Sequence, residues 1–296
     1  MNCSTALEKF LYSQELKNNS SETIDFYNKR ISYFINFIND KNINKVSISD
    51  YDNYLLYLKN KNISDFTIKT SLTAVKVFLN YCYKNKFIKK DIVSGLTSFK
   101  VGKKTLVVLS ENQIVDIYSS FADTSFYGSR NLLMISFMLD CGLRVSEVLN
   151  VTIDDVQTDL HLIKIRGKGK KERLVPLSDT TLYYFYNYLG INTKIKDFLF
   201  VDIKGNKLTS SAVRRILINL KRKLGYKTLY PHYLRHTFAT YYIIYGGDPL
   251  SLQIILGHST LYMTEIYVHI AQQISIARNV RFTPLSNISY FQKNRR

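Results

Sequence analysis

The sequence is poor in residues that cross-link a chain or interrupt its helices and strands. Its 296 residues include three cysteines, four prolines, twelve glycines and no tryptophan. Cys3, Cys82 and Cys141 are far apart and form no CxxC pair, which argues against a disulfide framework or a zinc site and favours a reducing compartment. Apolar runs such as residues 132–139 are much shorter than the ~18 residues that a membrane span needs. The first residues lack the pattern of a signal peptide, so we expect a cytoplasmic protein.

Acidic residues are also scarce. There are 23 Asp and Glu against 41 Lys and Arg, which gives a formal net charge of +18. Hydrophobic residues make up 46% of the chain, enough for a sizeable core, so a wholly disordered basic protein is excluded. We expect a polyanionic partner, the alternative being a protein that is merely basic.

Glycine and proline are both missing before Gly95, which is typical of helices joined by polar turns. Apolar residues recur at helical spacing through this region, and residues 1–92 are predicted to form a helical domain. The start signals predict four helices: one capped by Thr5 and Glu8, one opening at Ser20 or Ser21, one after Ser47 and Asp50, and one over about 66–86.

The rest of the chain mixes element types. We predict a linker over 93–106, a second domain over 107–268 and a tail over 269–296. Within the second domain the patterns predict a helix capped by Ser110 and Gln113, an apolar helix over 130–141, a hairpin over 161–177, and helices over 179–189, 209–223, 232–245 and 248–256. Counted on either side of residue 102, the formal charge is +6 and +12. A nucleic acid is therefore expected to contact both domains, as in a clamp.

Three of the five histidines fall in two short segments. His232 and His236 are four residues apart on a predicted helix, a spacing that suits zinc, but Arg235 lies between them and would repel a cation. We therefore predict no metal. Phosphate fits better, because Arg144 and Arg235 offer planar forks of donors and Lys168 occupies the hairpin tip. Taken singly, these could equally be a helix-end charge or a solvated turn.

Five segments in order carry a stronger signal: CGLRVSEVLNV (141–151), IRGKGKKERLVPL (165–177), HYLRHTFAT (232–240), LGHST (256–260) and TEIYVH (264–269). This series resembles the tyrosine recombinase (phage integrase) family, close to its simple Xer-like members. The resemblance implies a mainly α fold with a small β-sheet: an N-terminal helical, SAM-like core-binding domain followed by an α+β catalytic domain.

The resemblance also implies a set of catalytic residues. They are Arg144, Lys168, His232, Arg235, His258 and the nucleophile Tyr267, with Glu147 as a supporting acid. The arginines would stabilise the charge of a pentacovalent phosphate, and a 3′-phosphotyrosyl intermediate would form without metal, ATP or other cofactor. His232 is the candidate base, His258 a phosphate hydrogen-bond donor and Lys168 the acid for the leaving 5′ hydroxyl.

Other cations are expected to hold the DNA. Two basic runs, 164–173 and 214–227, are almost free of acidic residues. We predict that the following residues in these runs contact the DNA backbone: Arg166, Lys170, Lys171, Arg173, Arg214, Arg215, Arg222 and Lys223. A solvated helix face is the alternative for 214–227.

The resemblance further implies partners. The first is double-stranded DNA with a specific recombination site. The second is further copies of this chain, which would form a tetramer on paired sites and be monomers or dimers when free. A second recombinase is a further possible partner, and no membrane is expected. The tail 269–296 would pack on a neighbouring protomer, and the location would be the nucleoid. Integration or excision of a mobile element and dimer resolution both stay open, and the alternatives are a type IB topoisomerase-like enzyme and a non-catalytic DNA-binding accessory protein.

Overall fold

The structure, a computed structural model, divides into two compact units, Met1–Thr105 and Leu106–Arg296. It describes residues 1–102, 107–121, 125–167, 172–191, 197–258 and 260–278, with 273–278 as backbone only. The predicted mainly helical fold with a small sheet is confirmed. None of the described helices is both long and apolar enough to cross a membrane.

The first unit is a helical domain. Its α-helices are α1 (Cys3–Leu16), α2 (Ser21–Phe37), α3 (Ile48–Asn60) and α4 (Asp65–Lys84). Two of the predicted starts are confirmed, since Ser20 is the N-cap of α2 and Ser47 forms a capping box with Asp50. Helix α4 begins one residue before its predicted range, with Ser64 as its N-cap. Aromatic rings at the centre of the domain meet edge to face, as Phe10 does with Phe78 at 5.8 Å.

The predicted cap of the first helix is wrong. Helix α1 begins at Cys3, so Thr5 lies inside it. The carboxylate of Asp40 accepts hydrogen bonds from the backbone N–H and the hydroxyl of Ser4 at 2.8 and 2.7 Å. Asp40, which is 36 positions away, therefore accepts a hydrogen bond from a free N–H group at the start of the helix, and a local capping box is not needed. At the other end of the unit, Leu96 of the predicted linker packs into the same core.

The second unit combines helices with one antiparallel sheet. Its elements are α5 (Glu111–Ser119), α6 (Phe126–Leu139), α7 (Val145–Val148), β1 (Val156–Gln157), β2 (Leu162–Arg166), β3 (Glu172–Pro176), α8 (Asp179–Ile191), α9 (Ser210–Lys223), α10 (Pro231–Ile244), α11 (Pro249–Leu256) and α12 (Tyr262–Arg278). The strand order is β1-β2-β3, and the β2–β3 register pairs Ile163 with Val175. The hairpin is thus where the sequence predicted it, while its tip, 168–171, lies outside the described residues.

A tight turn after α6 positions the next segment. Gly142 has φ +65°, and a Cβ there would lie 2.3 Å from the Phe238 ring on α10. Glycine is therefore required both for the backbone conformation and for the close approach. The turn delivers Arg144 to the N-cap of α7, facing α10 and α11.

Candidate active site

Three arginines from separate parts of the chain converge on the C-terminal end of α11. Arg144 Nη1 and Arg235 Nη2 both donate to the carbonyl oxygen of Leu256, at 3.2 and 2.7 Å, and Arg173 Nε donates to that of Ile255 at 2.7 Å. The last carbonyls of a helix lack intrahelical partners and carry the negative end of its dipole. The end of α11 therefore orients all three guanidinium groups.

Glu147 neutralises part of this cluster. Its carboxylate accepts two hydrogen bonds from Arg173 and one from Arg144 Nη1, all at 2.9 Å, and lies 3.6 Å from Arg235. Burial would raise the pKa of Glu147, but the hydrogen bonds from Arg173 and the Arg144 backbone, with the charges of both arginines, outweigh it and lower that pKa. One carboxylate against three guanidinium groups leaves a net positive charge at the cavity, which suits a phosphate.

The cavity beside this cluster has a volume of about 780 Å³. Arg144, Arg173 and His258 are among its lining residues, with Arg166 and Gly167 of the hairpin. Arg144 is one-third exposed, whereas Arg235 is almost fully buried. Burial first, and the charge of Arg144 next, lower the pKa of Arg235 to about 10, so the group still carries its charge at neutral pH.

His258 is held between a cation and a hydroxyl. Arg235 Nη2 lies 3.3 Å from its Nε2, and Thr264 Oγ1 lies 3.1 Å from its Nδ1. Because a guanidinium can only donate, Nε2 is the acceptor and the ring proton of neutral His258 is on Nδ1. Burial and the surrounding arginines lower the pKa of His258 to about 4, which keeps it neutral at pH 7.

Tyr267 lies buried on α12, with its ring packed among Ala239, Leu252 and Leu256. Its hydroxyl is 2.8 Å from Nδ1 of His236, on α10. Burial raises the pKa of Tyr267, and the charges of Arg235 and Arg144 oppose that rise. Tyr267 is therefore a protonated phenol at neutral pH, close to two cations that favour its ionised form.

His232 lies one turn before His236 on α10, with the two ring centroids 6.3 Å apart. Burial and then the charges of Arg235, Arg144 and Arg214 lower the pKa of His232. Six of the predicted groups are thus brought together: Arg144, Glu147, His232, Arg235, His258 and Tyr267. Lys168 lies outside the described residues.

The predicted DNA contacts differ in their surroundings. Arg214, Arg215, Arg222 and Lys223 are exposed on α9, opposite its buried Val213, Leu217 and Leu220. Arg166 is 57% exposed and donates to Asp155, whereas the Arg173 side chain is only 11% exposed, with all three nitrogens bonded inside the protein. Lys170 and Lys171 lie outside the described residues. In the part of the chain that the structure describes, no three His, Cys, Asp or Glu side chains form a metal-binding group.

Comparison with known proteins identifies the family of this site. Residues 107–273 match the Phage integrase family, and residues 7–89 match the Phage integrase N-terminal SAM-like domain. The chain belongs to the phage integrase family. It is 30% identical to tyrosine recombinase XerC of Bacillus pumilus (strain SAFR-032) over 274 residues, covering 88% of this chain and 90% of the relative.

Further relatives agree with this assignment. Tyrosine recombinase XerD of Staphylococcus saprophyticus is 27% identical over 279 residues, covering 90% of this chain and 95% of the relative. The crystal structure of XerH site-specific recombinase bound to palindromic difH substrate, a post-cleavage complex, shares the fold with a TM-score of 0.74 at 22% identity, covering 94% of this chain and 84% of that one. The protein is thus an Xer-like tyrosine recombinase, a DNA strand-transferring enzyme of site-specific recombination with DNA as its partner.

Two features of the recombinase site were not predicted from its sequence. His236 was considered only as a zinc ligand paired with His232, although its place beside Arg235 puts it on the α10 turn that faces α12. Arg173 was predicted only as a DNA contact because it belongs to a basic run. Its partners, Glu147 and the end of α11, are 26 and 82 residues away, so no local pattern signals them.

Proposed function

We propose that this recombinase cleaves a specific DNA site with Tyr267 as nucleophile, forming a 3′-phosphotyrosyl intermediate. The observation that carries the proposal is the placing of a buried phenol next to the charges of Arg235 and Arg144. Both cations favour the phenolate, and Arg144 lines the cavity of positive charge that suits the scissile phosphate.

Each group has a proposed role in the transfer. Arg144 and Arg235 bind the non-bridging oxygens and stabilise the charge that develops in the transition state. His232, whose pKa is lowered by burial and then by the charges of three arginines, is a neutral group beside the same cluster. Lys168 protonates the leaving 5′ oxygen. Glu147 and Arg173 hold the arginines in place through their mutual hydrogen bonds.

The biological role belongs to the same proposal. The names of the relatives, XerC and XerD, support a compact two-domain recombinase. We propose that it acts in a tetramer on paired sites in the cytoplasm, with the tail 269–296 packed on a neighbouring protomer. Its reaction would be the resolution of DNA dimers or the integration and excision of a mobile element.

The experiment captures the DNA first and then tests the nucleophile. Wild-type protein is incubated with sheared genomic DNA of its source, and the covalently attached fragments are sequenced to define the site. A nicked duplex carrying that site is then offered to Tyr267→Phe, and adducts are resolved on a denaturing gel. We expect no adduct, with DNA binding retained.

Tyr262→Phe is the matched control, since Tyr262 is 73% exposed on the same helix and lies five residues from Tyr267. It should form the adduct at the wild-type rate. An adduct with Tyr267→Phe, or its loss with Tyr262→Phe, would contradict the proposed nucleophile. Relaxation of supercoiled DNA without a defined site would favour the topoisomerase-like alternative.

A further inference from the structure

The geometry around Tyr267 assigns a partner to its hydroxyl proton. Helices α10 and α12 pack together, and His236 and Tyr267 face one another across them with ring centroids 5.7 Å apart. Nδ1 of His236 is 2.8 Å from Oη, a normal length for a hydrogen bond. Among the described residues, His236 is the hydrogen-bond partner that the structure gives to this hydroxyl.

The surroundings determine which atom carries the proton. Burial, and then the neighbouring His232 and Arg235, lower the pKa of His236 to about 4, so its imidazole is neutral at pH 7. The pKa of Tyr267 is raised, so the phenol keeps its proton and needs an acceptor. A neutral imidazole has one acceptor nitrogen, and here Nδ1 is the nitrogen that faces the phenol. The charged or titratable groups around this pair are His232 and Arg235 on α10, His258 before α12, and Arg144.

We propose that His236 is a catalytic residue that accepts the Tyr267 phenolic proton at Nδ1 during cleavage and returns it during rejoining. The proposal rests on Tyr267 being the nucleophile. In the forward step the Oη–P bond forms and the P–O5′ bond breaks. The phenolic proton moves to Nδ1, and the leaving 5′ oxygen takes a proton from the acid proposed above. In the reverse step the 5′ hydroxyl returns its proton to that acid as its oxygen attacks phosphorus, the P–Oη bond breaks, and Oη recovers its proton from the imidazolium.

The low basicity of His236 without DNA is consistent with this role. A bound phosphate brings negative charge into the cavity, which favours the imidazolium, while Arg144 and Arg235 favour the phenolate. Substrate binding therefore makes His236 a better proton acceptor, and the phenolic proton leaves as the Oη–P bond forms. His232 is less well placed, since the structure gives it no hydrogen bond to Oη among the described residues.

The test separates proton acceptance from positioning. His236→Asn keeps an oxygen acceptor near the position of Nδ1 but cannot take a proton, and His236→Ala removes both functions. The rate of adduct formation in a single turnover is measured with a nicked duplex that carries the site identified with the wild-type protein. We expect both variants to be slower by about 10²–10⁴-fold, the usual contribution of a positioned base. We also expect added imidazole to restore part of the rate to His236→Ala, with Tyr267→Phe remaining inactive under the same conditions.

A second measurement needs no DNA and no active variant. Nitrogen NMR of the five histidines, with His236 assigned in the wild-type protein by through-bond correlation to its backbone, reports which ring nitrogen is protonated. At pH 7 we expect an unprotonated Nδ1 on His236 and a change of its shift in Tyr267→Phe. A protonated Nδ1 would overturn the proposal even if the His236 variants failed to fold.

The outcomes distinguish the inference from the function. If wild-type protein forms no adduct, the proposed function fails. If wild type forms it and His236→Ala is equally fast, only the inference fails. A wild-type rate for His236→Asn would mean that His236 positions the phenol without taking its proton, which also overturns the inference.

Discussion

The two units of the recombinase bury different kinds of side chain. Among the described residues, the first unit buries two polar side chains, Gln14 and Ser71, and no charged one. The second unit buries four charged side chains, Arg130, Glu147, Asp155 and Arg235. A buried charge costs free energy unless it is paired and hydrogen-bonded, so the second unit must satisfy requirements that the first does not have.

The difference follows from what each unit does with its charges. The core of the first unit consists of packed aromatic and aliphatic side chains, and none of its lysines is buried among the described residues. The second keeps cations at a fixed place before substrate arrives, which lowers the reorganisation needed in the transition state. Its core therefore contains a network in which Glu147 serves Arg144, Arg173 and Arg235 together.

Removing the shared carboxylate should have the largest effect. Glu147→Ala leaves buried guanidinium groups without their counter-charge, and we expect a loss of about 3–5 kcal/mol of unfolding free energy. The measurement is urea unfolding followed by hydrogen exchange, with amides of α7 and α10 reporting the second unit. The matched change in the first unit is Ser71→Ala, which removes hydrogen bonds to Arg30 and Thr67.

Ser71→Ala should cost only about 0.5–1.5 kcal/mol, because its partners are one half-buried arginine and a helix carbonyl. Equal losses in the two variants would remove the distinction between the units.

The next largest effect should be that lowering the pH destabilises the second unit more than the first. The first unit contains no histidine, whereas His236 and His258 in the second have folded pKa values of about 4 against an ordinary 6.5. Between pH 6.5 and 4 the unfolded chain binds protons that the folded unit does not, so stability falls as the pH is lowered through this window.

Hydrogen exchange at pH 7.0, 5.5 and 4.5, corrected for intrinsic rates, measures this loss for each unit. We expect protection to fall in α10 and α12 before it falls in α2 and α4. His258→Asn should flatten the dependence in the second unit. A simultaneous loss in both units would show that the buried histidines do not control acid sensitivity.

The smallest effect concerns exposed cations. Arg222→Ala on α9 should weaken DNA binding slightly and reduce the slope of log affinity against log salt by about one unit, as expected for one lost phosphate contact. Arg173→Lys should leave that slope unchanged because its side chain is buried against Glu147. Fluorescence anisotropy over a salt series measures both. A reduced slope for Arg173→Lys would return Arg173 to the DNA interface.

The sequence predicted those parts of the fold whose causes are local. The capping boxes of Ser47 with Asp50 and of Ser110 with Gln113 are set within four residues, and both are present. The start of α1 was missed because its acceptor, Asp40, belongs to another segment. The short α7 was missed as well, since four residues carry no period of their own.

The site was predicted by family resemblance more than by physics. Arg144, Arg235, His258 and Tyr267 are scattered over 124 positions, and no periodic pattern relates them. Resemblance supplies residue identities but omits the groups that hold them, such as the α11 carbonyls and Thr264. The sequence gives His236 no role once Arg235 argues against a metal, because its partner Tyr267 is 31 residues away on another helix.

The end of α11 has a consequence for protein synthesis. Arg144 and Arg173 leave the ribosome long before residues 255 and 256, whose carbonyls orient them, and Tyr267 follows later still. An unfinished chain that stops before α11 thus has unanchored arginines and lacks the proposed nucleophile. The order of the chain thus leaves the proposed site incomplete until its last two helices have been made.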